Sequence, residues 1–300
     1  MPAHSRITLG PNQYGKAKVR LVRITRDGPR HSITDLTVTS EVRGDFEAAH
    51  VTGDNGHIIP TDTQKNTVYA FAKEGIGALE DFLIRLGNHF VRDFDWISGG
   101  RWEADQHTWD RIDVDGTGHD HSFVRGGTEV RNAVVHVDGD EVTVVSGLHD
   151  LVVLKSTASE FTGFAVDEYT TLAEATDRIL ATSVTARWRY NVLGLDYDQE
   201  YEGVRRILLE TFATAYSRSL QHSLYQMGEA VLEQHPAIDE IRFSMPNKHH
   251  FLVDLAPFAL DNDNEVFYAA DRPYGIIEAS VRREGAASAD AVWVSVAGFC

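Results

Sequence analysis

The chain has 300 residues, 42% of them hydrophobic and 10% aromatic, which is the composition of a folded globular protein of two domains or one large one and excludes a disordered chain. Its formal charge of −17, from 45 acidic against 28 basic residues and with no run of Lys or Arg, excludes nucleic-acid and anionic-membrane partners, while leaving room for a small anion held by one or two cations. The single cysteine, Cys300, excludes an intrachain disulfide and any Cys-rich metal site, and is expected to be a free reduced thiol.

At the start, Met1 to Gly10 lack the apolar stretch of a secretory signal, and no later segment has the length of a membrane span, so a soluble cytoplasmic protein is expected. From Lys16 the chain alternates, with Ala17, Val19 and Leu21 on one face. It alternates again with Leu36, Val38, Ser40 and Val42 opposite Asp35, Thr37, Thr39 and Glu41. A period of two predicts strands, and Arg26-Asp27-Gly28-Pro29 predicts the turn of a long hairpin. Leu79, Leu83, Leu86 and Phe90 recur at helical spacing, with a shorter helix over Asn66–Lys73 before them. Strands follow at Trp96–Ile112, His121–Val124 and Val130–Val137, then a hairpin at Asp138-Gly139 leading into Val142–Val145.

The second half repeats this order. Val184–Tyr190 reads as a strand; Val204, Leu208 and Phe212, then Leu220, Leu224, Met227 and Val231, mark two helices ending before Pro236. Strands return at Ile241–Met245, Phe251–Leu255 and Ile277–Val281. A shared order of elements implies a duplicated α+β unit, although no residue-level repeat is visible. Closing such sheets from several subunits into a barrel would remove their edges.

The common nucleotide, zinc-hydrolase and serine-hydrolase signatures are missing. His119-Asp120-His121 and His249-His250 are the densest histidine groups, neither at the helical spacing of a metal site, and no metal is expected. Asp113-Val114-Asp115-Gly116 resembles the opening of a calcium loop but lacks the later oxygen ligands, and is read as a turn.

Five stretches carry more information: Tyr14-Gly15-Lys16, Thr61-Asp62-Thr63-Gln64-Lys65-Asn66-Thr67, Leu154-Lys155-Ser156-Thr157-Ala158-Ser159-Glu160-Phe161-Thr162-Gly163-Phe164, Tyr169-Thr170-Thr171-Leu172 and Met245-Pro246-Asn247-Lys248-His249. Taken by itself, the last is also what a hairpin connection between two strands would give. In this order and spacing, from near residue 14 to near residue 280, the chain resembles the urate oxidase family. The resemblance implies an α+β fold of two tandem tunnelling-fold units, residues 1–146 and 147–300, with antiparallel sheets and paired helices on one face. These would assemble into a β-barrel tunnel within a homotetramer whose active sites lie between subunits.

The resemblance also implies roles. Arg178 would fork onto one edge of urate, where a planar guanidinium gives two parallel hydrogen bonds. Gln221 would take the opposite edge through its amide, Leu220 would add a backbone contact, and Phe161 would stack on the ring. Lys16, Thr61 and His249 would form the proton relay, Thr61 and Asp62 arriving from a neighbouring subunit, and Asn247 would position dioxygen or water. No cofactor is implied, because electron-rich urate can pass an electron to O2 itself; with water, the products would be 5-hydroxyisourate and hydrogen peroxide. Met245 stands for the commoner Leu and Leu220 for a Val. The end Gly298-Phe299-Cys300 lacks a peroxisomal Ser-Lys-Leu, which favours a bacterial, cytosolic form. Two rivals are a pterin-acting enzyme of the same architecture, usually a single unit and sometimes zinc-dependent, and a purine-binding protein without turnover.

Overall fold

The computed structural model describes residues 7–270, 272–287 and 289–293; the readings placed on the first six residues and on Cys300 lie outside the described residues. The chain forms two compact units, one from the described residues up to Gly127, Arg131–Ser146 and the segment from Ala289, the other from Thr128–Val130 and Gly147–Ser288. Among the described residues, no helix is long and apolar enough to cross a membrane.

In the first unit, β1 (Tyr14–Thr25), β2 (Ser32–Gly44), β3 (Ile97–Val114), β4 (Thr117–Asp138) and the first half of β5 (Glu141–Lys155) lie side by side in chain order. Between β2 and β3 come α1 (Glu47–Val51), α2 (Thr61–Glu74) and α3 (Leu79–Asp93). The alternation in β2 sorts its faces as expected: Leu36, Val38, Ser40 and Val42 are fully buried. Their face meets α2, since Ser40 donates its hydroxyl proton to Gln64 Oε1 at 3.0 Å. The stripe Leu79, Leu83, Leu86 and Phe90 of α3 is buried as well, each such side chain contributing roughly 1.5–3 kcal/mol.

Several boundaries differ from the periodicity. A bulge separates Lys16 from Val19 in the β1–β2 register, with Lys18 at φ +57°, so Ala17 leaves the face it was expected to share with Val19 and Leu21 and is exposed. The expected helix from Asn66 begins earlier, at Thr61, because Pro60 presets an extended entry and Thr61 follows directly. The strands expected at His121–Val124 and Val130–Val137 are one strand: at Gly126 a Cβ would come within 3.0 Å of Thr108 and Asp110 side chains, so this glycine permits a close strand approach. The calcium-like Asp113–Gly116 stretch is a turn, with the Gly116 amide donating to Asp113 Oδ1 at 2.7 Å.

In the second unit, β6 (Leu180–Tyr190) is followed by α4 (Tyr197–Thr214), α5 (Leu220–Gln234), β7 (Ile238–Ser244), β8 (His250–Leu252), β9 (Phe267–Ala269) and β10 (Glu278–Arg282). The sheet order is β5, β6, β7, β10, with β7 antiparallel to both neighbours. The apolar stripes of α4 and α5 are buried as the spacing predicts. The hairpin expected between Ile241–Met245 and Phe251–Leu255 does not form; β8 pairs with β9 in a small separate sheet, and residues 245–249 become a strap.

One buried carboxylate of the first unit is well paired. Glu80, fully buried on α3, accepts from Arg131 Nη2 at 2.8 Å and from the Ser146 hydroxyl. His136 on β4 is different: burial first, and then the charges of Arg101 and Arg43, pull its pKa down to about 4. An unfolded chain takes up this proton near the ordinary value of about 6.5, so stability is lost as pH falls from about 6.5 to about 4, by at most roughly 3 kcal/mol. Urea unfolding of H136Q followed over that range is expected to show a shallower acid decline than the parent chain; parallel curves would remove His136 as the cause.

Candidate active site

The stretch from Lys155 to Leu180 has little regular structure, yet its backbone is fixed. Phe161 and Ala175 exchange two backbone hydrogen bonds, at 2.8 and 3.1 Å, closing the loop between them, and the Arg178 amide donates to the Ser159 carbonyl at 2.8 Å. These bonds bring Phe161 and Arg178 together, with the guanidinium carbon 5.1 Å from the ring centre. Phe164 stacks on Phe161 at 5.0 Å and 16°. Arg178 is half-buried, and burial lowers its pKa without removing its charge. Its Nε has no partner among the described residues, so the cation carries an unmet demand for an acceptor.

The first turn of α5 forms a second wall. Ser219 caps it, its hydroxyl accepting from the His222 amide at 3.1 Å, and this leaves the amides of Leu220 and Gln221 at the positive end of a 15-residue helix. Leu220 is buried and Gln221 exposed.

The strap after β7 forms the third. The Met245 and Asn247 amides donate to the carbonyls of Ile277 and Gly275, both at 2.8 Å, and the Lys248 amide donates to the Ala181 carbonyl at 2.9 Å. This lacing, in place of the expected hairpin, points Asn247 and His249 toward the same space as Arg178. His249 stacks on Phe251 at 5.7 Å. Burial, then the positive charges of Arg178 and His250, hold its pKa below the usual imidazole value.

Together these walls enclose a pocket of about 320 Å³. Phe161, Arg178, Leu220, Gln221, Asn247 and His249 all line it, so every site residue expected from the second half of the sequence is gathered there. Leu172, Ile179, His250, Phe251 and Ile277 also line it and were missed. Leu172, His250 and Phe251 lie in or beside the informative stretches, which was the available signal; Ile179 stood only as the neighbour of Arg178 and Ile277 as the start of an expected strand.

Lys16, Thr61 and Asp62 belong to the first unit and cluster there. Gly15 lets β1 press onto β2: a Cβ would come within 1.9 Å of the Ser40 carbonyl oxygen. Beside it the Tyr14 oxygen accepts from the Ile59 amide at 2.7 Å, tying the start of β1 to the segment that enters α2. Thr61 is half-buried and Asp62 exposed in the first turn of that helix. Asp62 is held below the usual carboxylate pKa chiefly by its hydrogen bond from Lys65, then by the charge of Lys65, and further by Asn66 and the charge of Lys16. Lys16 thus sits near enough to Asp62 to act on it.

A stacking ring, a guanidinium whose Nε has no partner among the described residues, a side-chain amide in the first turn of a helix and an imidazole of lowered pKa line one pocket on an α+β scaffold, a set of groups suited to a flat anion. The uricase family model matches residues 12–136 and 144–278. A uricase of Arthrobacter globiformis is 59% identical over 296 residues, 99% of this chain and 97% of that one. A Dictyostelium discoideum uricase is 38% identical over 282 residues, 92% of this chain and 98% of that one. The crystal structure of the Arthrobacter globiformis uricase superposes with a TM-score of 0.93 over 96% of this chain and 99% of that one. A Bacillus fastidious uricase, at 27% identity, superposes with a TM-score of 0.79 over 91% and 94%. The chain belongs to the uricase family. Its fold is the tunnelling fold of those structures, as the sequence stretches implied.

With its pKa lowered, His249 is expected to stay neutral to a more acidic pH than a free histidine. Titration of ¹³C-labelled histidine side chains by NMR, with H249N to assign the signal, should place its midpoint below about 6.5; a midpoint at or above that value would contradict the electrostatics described.

Proposed function

We propose that this chain oxidises urate with dioxygen and water to 5-hydroxyisourate and hydrogen peroxide, one molecule of each per turnover. The carrying observation is the pocket in which Phe161, Arg178, Leu220, Gln221, Asn247 and His249 converge. Arg178 pairs with one edge of the urate anion, Gln221 with the Leu220 backbone takes the other, and Phe161 covers a face. Asn247 and His249 lie beside the ring, Asn247 to position dioxygen and then the attacking water, His249 to pass protons with Lys16 and Thr61. Two electrons leave urate for O2, water adds to the oxidised ring, and the protons released complete hydrogen peroxide. The protein supplies orientation and a polar environment fixed in advance.

The test is to follow urate loss and peroxide release together on chelator-treated protein. Equal amounts of each support the reading; an assembled protein that binds urate without turning it over would favour a purine-binding role. Replacing Arg178 by Lys keeps a charge but loses the fork, and KM for urate is expected to rise on the order of tenfold or more, kcat falling less. An unchanged KM would take Arg178 out of the site.

Because Lys16, Thr61 and Asp62 come from the first unit, we infer that they complete the site across a subunit boundary in a homotetramer. T61A and R178A should each be nearly inactive, and chains co-assembled in equal amounts should recover about a quarter of parental activity, the chance that one site draws both sound halves. No recovery in mixed tetramers would mean that each site is built within one chain.

A further inference from the structure

The residues between α4 and α5, and the head of the Leu154–Phe164 stretch, contact one another through a set of bonds that the substrate contacts do not use. Ser217 forms a parallel bridge with Ser159: its amide donates to the Ala158 carbonyl at 3.0 Å, and its own carbonyl accepts from the Glu160 amide at 2.8 Å. Ser223, inside α5, donates its hydroxyl proton to Ser217 Oγ at 2.7 Å, and Ser217 Oγ donates on to the Ser219 carbonyl at 3.0 Å. Ser159, Ser217 and Ser223 are 0%, 0% and 4% exposed, so these hydroxyls have no water to fall back on.

Two further bonds pin the ends. The Lys155 ammonium donates to the Ala215 carbonyl at 2.7 Å, just past α4, and lies 5.5 Å from the centre of the Phe212 ring. The Thr157 hydroxyl donates to Asp177 Oδ2 at 2.8 Å, next to Arg178. The chain of bonds therefore runs from the irregular stretch carrying Phe161 and Arg178, through residues 215–219, to the first turn of α5 carrying Leu220 and Gln221. Both groups line the pocket, and a rigid planar molecule demands a fixed distance between them.

We propose that Ser217 and Ser223, with Lys155 and Thr157 at the ends, are positioning residues that set the distance between the Phe161–Arg178 wall and the Leu220–Gln221 wall, and thereby the fit of urate. This rests on the proposed urate reaction. None of the four lines the pocket; each acts through a residue that does.

The experiment compares the parent chain with S223A, S223T, K155M and T157V as assembled protein, reading kcat and KM for urate, the dissociation constant of xanthine as an unreactive planar probe, and the thermal midpoint. S223A is expected to raise KM and the xanthine constant together by on the order of tenfold, with the pH dependence of kcat unmoved and S223T, which keeps a hydroxyl, closer to the parent. A folded S223A with parental KM and xanthine affinity overturns the proposal, as does one that loses only thermal stability. Should S223A fail to fold, K155M and T157V decide on the same two constants, a smaller joint rise supporting the proposal and no rise overturning it. A parent chain that neither turns over urate nor binds xanthine defeats the underlying reading, separately from any difference among the variants.

Discussion

Arg178 lies against an aromatic ring, and among the described residues no carboxylate answers it. Most arginines on a protein of this charge would find one of the abundant acids; here the nearest acid in sequence, Asp177, is engaged by the Thr157 hydroxyl. Holding a half-buried cation with no carboxylate partner among the described residues is unfavourable, and the backbone around Arg178 is fixed by several hydrogen bonds. The Phe161–Ala175 pair, the bond from the Arg178 amide to Ser159 and the strap laced to residues 181, 275 and 277 supply that constraint. The positive charge in the pocket follows from where this guanidinium is held, and it adds to the burial that lowers the pKa of His249.

The elements that the sequence made legible are those in which one physical rule acts alone. The stripes of α3, α4 and α5 and the alternation of β2 report a single buried face, and each was buried as its spacing indicated. The failures lie where two rules compete. At Ala17 a bulge overrode the alternation. At Gly126 a residue that usually ends a strand allowed a close approach to β3 and let β4 continue. Beyond Met245, two apolar segments near in sequence took different partners, because strand pairing depends on neighbours that periodicity does not name.

The candidate residues that line the pocket were legible for another reason. None of Lys16, Thr61, Phe161, Arg178, Gln221, Asn247 or His249 is unusual alone; their order along the chain made them readable, and the five from the second half line one pocket. Ser217 and Ser223 escaped notice because a serine's value here is its burial and its neighbour's hydroxyl, both created only by the fold.

The unanswered guanidinium also bears on what the pocket refuses. A neutral purine of the same outline would cover the Phe161 ring equally well, yet would bring no negative charge to the guanidinium. Charge can therefore separate purines that shape alone would not.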